Sequence, residues 1–541
     1  MKSKLPLRAV ALGVVLGALQ LQHPSALADV LVGTGAQPSR TLLGASNAVA
    51  FRVSDSAPGH HLMFPYFTVQ KGQMTVLHLI NSDLDNGKAV KLRFRGAGNG
   101  DSLLSLQVLL SAGDTWTAAI TSGPDGRAQL TTADSTCTYP PLVKGVAQPF
   151  LVDRLNPAWS PDTLHNNTRE GTVEAMLMAD VPSAPIYGAQ ANELSSLYRA
   201  TRLINTQSPC TPAVLDAALS SDLSSEAQAA EIGFATPSGG LSATWYIIDV
   251  PGSTTFSGVA ASAIAVDASG GPARGNFVVF PQTGLVVLQP ERYTADPLLV
   301  SAGLASRAKD AVGSTSSPTT SQVVKARFYD LPDLSTPYYL PASAVNARQT
   351  AGDLSARLAT TTVLNQYAKD ANISAQTDWV FATPTKRYSV AYDYSQPPAS
   401  APVYSVVPPG TAHPQYFFSA GDSIYAQSDQ TCQRHESNLL DRDGTRRLAG
   451  GVFLGSPPPL TSCGVVAVLA FDSGASVLSS SVSRWNVGMP FTNGWMSVRA
   501  SGATGKPVIG AALMKLTNPN ATPGVAANYG IAFPHVLSRQ P

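Results

Sequence analysis

The sequence predicts a mainly β protein, built as two β-sandwich, immunoglobulin-like domains with helical insertions. Three observations predict it. Short runs of alternating apolar and polar residues recur with turn residues between them, which is the pattern of half-buried strands. Helical spacing replaces that pattern in only a few interrupted stretches. The chain is also charge-poor, with 13% charged residues and 44% hydrophobic ones, against a usual charged share of about 25%. Such a composition supplies ample core and excludes global disorder. With 36 Lys and Arg against 35 Asp and Glu, there is no basic surplus to neutralise phosphates, so no nucleic-acid partner is expected.

Met1 to Ala28 has a basic start (Lys2, Lys4, Arg8), an apolar stretch from Ala9 to Leu21, and small residues at Ala26 and Ala28. This is the layout of a secretory signal peptide cleaved after Ala28. The apolar stretch is shorter than the roughly 20 residues a membrane-spanning helix needs. No later segment is long and apolar enough either, so no transmembrane helix is expected after cleavage. The expected location is secreted: periplasmic, or extracellular at the cell surface.

The remaining order is a lead over 29–60, a first sandwich over 61–300 with a helical insertion at about 141–236, a linker and helical segment over 301–376, and a second sandwich over 377–541. Leu62 to Val69 reads as a strand. Met74 to Ile80 is a continuous apolar run, read as a strand buried on both faces, and Asn86-Gly87 supplies a tight turn. Next, Ala89, Lys91, Arg93 and Arg95 alternate with Val90, Leu92 and Phe94, which predicts a half-buried strand with its charges in water. Leu104 to Leu110 repeats the alternation, and Asp114 to Ile120 adds a strand around Trp116.

Within the insertion, Asn192 to Ile204 and Pro212 to Ala230 read as helices, the second with Thr211 as N-cap and Pro212 at its first position. Strand character returns at Thr244 to Val250 and Asn276 to Phe280. A short helix near Ser301 to Val312 and a longer one over Ser343 to Tyr367 follow, the latter on the spacing of Leu354, Leu358, Val363, Leu364 and Tyr367. Strands resume at Trp379 to Thr383, Arg387 to Tyr392, Val465 to Phe471, Trp495 to Ala500 and Val508 to Leu516, with Asn493-Gly494 as another turn.

The cysteines are Cys137, Cys210, Cys432 and Cys463. Four cysteines allow three pairings; Cys137–Cys210 with Cys432–Cys463 is favoured because each bridge then staples one region. Loops of about 70 and 30 residues would each gain roughly 3–4.5 kcal/mol in the chain-entropy model. Zinc ligation would need close spacing such as C-x₂-C, which is missing.

Several stretches resemble a group of uncharacterised secreted proteobacterial proteins, often described as cell-surface proteins. They are Leu62-Met63-Phe64-Pro65-Tyr66-Phe67-Thr68-Val69, Arg169-Glu170-Gly171 through Ala179-Asp180, Pro237-Ser238-Gly239-Gly240-Leu241, Val363-Leu364-Asn365-Gln366-Tyr367, Thr377-Asp378-Trp379-Val380 with Pro384-Thr385-Lys386-Arg387, and Pro507-Val508-Ile509-Gly510 before Asn528-Tyr529-Gly530. The resemblance implies an immunoglobulin-like β-rich fold outside the cytoplasm and brings no catalytic residues. Glu174-Ala175-Met176-Leu177 departs from it, lacking a second acid shortly after Glu174.

Candidate chemistry is sparse. Gly100-Asp101-Ser102-Leu103 and Gly421-Asp422-Ser423 spell an esterase-like serine block, but that chemistry needs a His three residues after an Asp as the base. His413, His435 and His535 lack that Asp, so both blocks read as turns. His60 and His61 would point to opposite faces of a strand, and neither His61 nor His78 has a partner at metal-ligand spacing. His165 completes the mature chain's histidines. Asp83-Leu84-Asp85-Asn86-Gly87 and Asp441-Arg442-Asp443-Gly444 lack the bidentate Glu of a calcium loop, with Phe94 and Val452 at that position.

Glu170, Glu174 and Asp180 form the nearest approach to a carboxylate set. On one strand Glu174 and Asp180 would lie about 20 Å apart, too far for glycosidase work, so salt bridging is their expected role. Phe64, Tyr66, Phe67, Trp116, Trp245, Trp379 and Trp495 read as core rather than as sugar platforms.

No catalytic, cofactor-binding or metal-binding residue is assigned, and no cofactor. The expected activity is non-enzymatic: surface interaction or assembly with a cell-envelope component, an extracellular polymer or copies of the chain itself. The alternatives are a secreted hydrolase of a polysaccharide or ester and a carbohydrate-binding module.

Overall fold

The computed structural model describes residues 30–182, 195–220, 223–278, 304–306, 329–330, 344–388, 390–393, 401–405, 418, 424–425, 430–445, 460–472, 474–487, 491–500 and 505–539. The export segment, the Ser314 to Ser321 linker, His413 and Ser423 lie outside the described residues. Strands make up 50% of the described residues and helix 13%, in several antiparallel sheets. The protein is therefore mainly β.

In the N-terminal half a six-stranded outer sheet has the order 148–149, 128–131, 115–122, 73–81, 241–249, 254–259. A seven-stranded central sheet has the order 50–54, 261–266, 61–68, 170–182, 86–96, 102–110, 137–139. Leu77, Leu79, Trp116, Ile247 and Leu130 from the outer sheet share one hydrophobic cluster with Phe67, Leu92, Phe94 and Val173 from the central sheet. Phe67, Phe94 and Phe150 pack edge-on and tilted at its heart, the geometry aromatic quadrupoles favour.

Glu170–Pro182 lies between His61–Thr68 and Asn86–Gly96 at the centre of this sheet and is buried along its whole length. It occupies the region expected to be a helical insertion. Among the described residues there, helix is found at Pro161–Asn167, Ser196–Thr201, Pro212–Leu219 and Glu226–Ile232. The expected Pro212 to Ala230 helix is thus two helices, the second ending at left-handed Gly233. Two register shifts, at Gly171/Val173 and at Leu177/Ala179, let the strand bend while keeping its apolar residues inward.

In the C-terminal half a seven-stranded sheet centres on Asn493–Ala500 and Ala359–Ala368. A five-stranded sheet has the order 484–486, 466–470, 376–382, 509–522, 525–534. The strand Gln376–Ala382 is covered on both faces. Trp379 and Phe381 enter a second cluster with Tyr367, Phe471, Met496 and Val498, while Val380 and Ala382 join the large N-terminal cluster. One hydrophobic body therefore runs through both halves.

Other expectations are corrected. Met74 to Ile80 is buried on one face only, whereas Ala89 to Arg95 is buried on both, the reverse of the sequence reading. Asn86 and Gly87 lie inside a strand and the chain reverses before them. The expected Ser343 to Tyr367 helix stops at Leu358 and continues directly as the strand Ala359–Ala368, where Thr360 to Val363 bring a β-branched run. That strand pairs with Asn493–Ala500, so the segment expected as linker supplies a central strand of the C-terminal sheet. Phe277–Val278 pairs with Val30–Leu31 rather than completing the first sheets. Leu304–Ser306 is a strand where helix was expected. Of the strand expected over Arg387 to Tyr392, Arg387 and Tyr388 belong to a 3-10 turn, and the strand begins at Val390.

Candidate functional site

The chemistry-bearing residues gather along the central sheet: Glu174, Arg93, Arg95, Lys91 and His61 on the face away from the outer sheet, and the Asp180–Lys88 pair on the other face, which the bulge at Leu177/Ala179 reaches. Register places Glu174 beside Arg93 and Met63, and Met176 beside Lys91 and His61. Paired residues share a face, so one strand's acid meets its neighbour's cations by construction. The face is covered by helices of the N-terminal half on one side and by C-terminal residues on the other.

Glu170 is fully buried. Its Oε1 accepts from Gln70 Nε2 at 2.9 Å, the Ser481 amide at 2.7 Å and the Val482 amide at 3.1 Å. Its Oε2 accepts from the Tyr66 hydroxyl at 3.0 Å, Ser480 Oγ at 2.7 Å and Ser483 Oγ at 2.6 Å. A carboxylate offers about four lone-pair positions; these donors fill them, so none is left to abstract a proton from a substrate. Burial first, then the Glu170 charge, pushes the Tyr66 hydroxyl well above its ordinary value.

The serine-rich segment 476–483 is held at its other end by Asp378, which accepts from Ser476 Oγ at 2.5 Å and the Leu478 amide at 2.9 Å. Burial raises the Asp378 carboxyl to about 6 against these hydrogen bonds. Gln73 Nε2 donates to the Val477 carbonyl at 3.0 Å. A single strap thus joins an acid of each half.

Glu174 accepts from Arg95 Nε at 3.1 Å and from the Tyr388 hydroxyl at 3.3 Å. Burial alone would raise this carboxyl, but the Arg95, His61 and Arg93 charges hold it below its ordinary value. Burial, followed by Arg93, drives the Lys91 amine well below its own. Asp180 binds Lys88 Nζ at 2.7 Å and Arg274 Nη1 at 3.3 Å, while Lys88 also reaches Asp83 at 2.7 Å and Ser238 Oγ at 2.9 Å. All three ammonium donors of Lys88 are used.

A further tie is the tip of the hairpin at Gly96–Gly100. The Val465 and Val466 amides both donate to the Ala97 carbonyl, at 2.9 and 3.1 Å. Gly464 sits there at φ 79°, where a Cβ would strike the Ala97 and Gly98 carbonyls. Lys386 Nζ donates to the Thr431 and Gly464 carbonyls at 2.9 and 2.8 Å. It thereby clamps the chain on either side of the Cys432–Cys463 bridge, and burial with the Lys506 charge brings its amine to about 7.

The disulfides are Cys137–Cys210 and Cys432–Cys463, the favoured pairing. Gly100 forms a left-handed turn before half-buried Ser102, and among the described residues no histidine hydrogen-bonds to Ser102. Asp83 receives the Asp85 and Asn86 amides and Lys88, while Asp441 receives the Asp443 and Thr445 amides. Both therefore organise turns. Of the aromatic set, Trp495 alone is exposed, at 37%.

His60 bonds the Pro237 carbonyl and the Ala265 amide. His435 bonds Ser462, and His165 bonds the Asp125 carbonyl. His535 lies between Trp379 and Phe381, bonded to Val380 and Asn365. His61 differs: it is fully buried and neither ring nitrogen has a hydrogen-bond partner. Desolvation, first in each case, lowers His60, His61, His435 and His535 to about 4.

Salt bridging is the role expected of Glu170, Glu174 and Asp180, within a stretch expected to be a helical insertion. Sequence reasoning missed Tyr66, Gln70, Tyr388 and Ser480 to Ser483 as their partners. The available signal was the serine run itself, polar yet uncharged between strands.

The outer sheet contrasts with this seam. Its water-facing side is half-exposed, and at its centre His78 Nδ1 lies 2.8 Å from Thr117 Oγ1, with the imidazole edge-to-face with Tyr246 at 5.2 Å. No helix among the described residues is long and apolar enough to cross a membrane. No protein-family model matches the chain, and no curated protein or solved structure matches it.

Proposed function

We propose that this chain is an exported, non-enzymatic protein that works by surface contact or assembly at the cell envelope or outside the cell. Its paired sheets are read as two immunoglobulin-like β-sandwiches held together by the buried seam. One observation carries the reading: Glu170, fully buried on the central strand, has every acceptor position filled by donors from within the chain. Glu174 and Asp180 are likewise tied to internal partners. Groups so engaged hold structure and are withdrawn from general acid or base work, which needs a free position toward substrate.

Two disulfides support an oxidising compartment, in keeping with the leader-like Met1 to Ala28.

The test is expression with the native leader in a Gram-negative host, followed by fractionation, mass spectrometry of the N-terminus and co-sedimentation with isolated envelopes. The expected result is a chain starting at Asp29, outside the cytosol, without free thiols and pelleting with envelopes. Cytosolic protein with four free thiols would overturn the proposal, as would turnover of an ester or polysaccharide abolished by Ser102→Ala.

A further inference from the structure

The water-facing side of the outer sheet combines three properties. First, it carries no charge. Every second residue of Gln73–Asn81, Thr115–Ser122 and Leu241–Asp249 faces away from the core, and none of them is Asp, Glu, Lys or Arg. The flanking strands Ala128–Thr131 and Thr254–Val259 extend the same character.

Second, charges stand at its margin: Asp249 pairs with Lys515 at 3.7 Å and Asp125 with Arg127 at 2.7 Å, while Asp134 accepts from the Thr117 amide at 3.2 Å and the Thr136 hydroxyl at 2.7 Å. An uncharged centre inside a charged margin is the anatomy of a protein interface.

Third, its middle is rigid. Val76 stands opposite Tyr246, and His78 opposite both Thr117 and Thr244. The His78 hydrogen bond and the contact with Tyr246 fix the aromatic pair before any partner arrives. Anchors ordered in advance lose little entropy on docking.

We propose that this face docks on the same face of a second copy of the chain, forming a symmetric two-fold dimer by sheet-on-sheet packing. Charge decides the occupant. A two-fold interface sets a patch against its own image, so any charge on it meets a like charge, and this face has none to repel. A charged partner would find nothing complementary to read. β-Branched and aromatic side chains on both copies can interdigitate as facing sheets do, about 10 Å apart.

Size sets the class of contact. Five strands about 4.8 Å apart and roughly seven residues long cover about 550 Å² per copy. The total of about 1,100 Å² falls at the low end of specific interfaces, the size class of weak and transient complexes. The inference deepens the assembly reading above and rests on it.

The experiment is sedimentation velocity of the mature protein across a dilution series, with circular dichroism on each variant. The wild type should shift from monomer to dimer with rising micromolar concentration. Val76→Lys, which sets like charges against each other, should raise the dissociation constant more than tenfold, and Tyr246→Ala should raise it less. Val525→Lys, at an exposed site in the other half, should leave it unchanged. If Val76→Lys fails to fold, Thr117→Lys serves in its place.

A wild type that remains monomeric overturns the inference. So does a dimer indifferent to both face variants, which would indicate pairing through an edge strand. A monomer that still pellets with envelopes removes this inference and leaves the proposed function standing.

Discussion

Two successive strands, Gln73–Asn81 and Asn86–Gly96, meet opposite surroundings. The first has a Met, two aliphatics and a histidine on its second face, and that face is half open to water. The second has Lys91, Arg93 and Arg95 on its second face and Lys88 on the other, and all four are buried. Hydropathy would assign them the other way round. The difference lies in what covers each face: the C-terminal half and the helices close over the cations, and among the described residues nothing comparable covers the uncharged row. A charge-poor chain thus has a good part of its charge inside, as ties, with a neutral face outside.

Acid should break the buried region with the largest effect. His60, His61, His435 and His535 have folded values near 4 against an unfolded 6.5. As pH falls from 6.5 toward 4 the unfolded chain takes up protons that the folded chain refuses, so stability is lost across that window. Asp378, raised to about 6, works in the opposite sense: its penalty exists above pH 6 and is relieved as pH falls toward 3.8. The net uptake of about three protons gives a slope of roughly 4 kcal/mol per pH unit at its steepest. Urea unfolding at pH 7, 6 and 5 checks it, and a flat profile would count against these burials.

Removing one partner from the seam should come next. Glu170→Ala leaves buried hydroxyl, amide and side-chain donors without an acceptor and should cost about 3–5 kcal/mol, read by urea unfolding at neutral pH. Glu174→Ala, which strips Arg95 of its carboxylate, should cost about 3 kcal/mol. The apolar double variant Arg95→Met with Glu174→Leu should recover most of that, because both charges then leave together.

The smallest effect belongs to the neutral face. Val76→Lys should change stability by no more than about 0.5 kcal/mol, as a water-facing substitution. A large loss there would mean that the face is a covered one, and the comparison between the two strands would fail.

Much of the strand framework was legible. Leu62 to Val69, Thr244 to Val250, Trp379 to Thr383 and Val465 to Phe471 lie in or against observed strands because their alternation or β-branched content is local. The disulfide pairing was legible from spacing. The seam was only half legible. Arg95 and Glu174 announce a pair once their strands are neighbours, but Glu174 is closed over by Tyr388, and Glu170 by Ser480 to Ser483, hundreds of residues downstream. No local pattern carries that information. Leu354, Leu358, Val363 and Tyr367 suit helical spacing, yet the chain changes to strand at Ala359, since pairing with Asn493–Ala500 overrides periodicity. Glu170–Pro182 was hidden because a strand at the centre of a sheet has no polar face with which to declare its period.

The central claim is that buried acids of the N-terminal half hold the C-terminal half in place. A double-mutant cycle across the seam, Glu170→Ala with Ser483→Ala, tests it most directly by urea unfolding of the four proteins. The account predicts a coupling of at least about 1 kcal/mol, since the 2.6 Å bond joins a carboxylate to the strap. Single-variant losses that simply add, within about 0.3 kcal/mol, would contradict it.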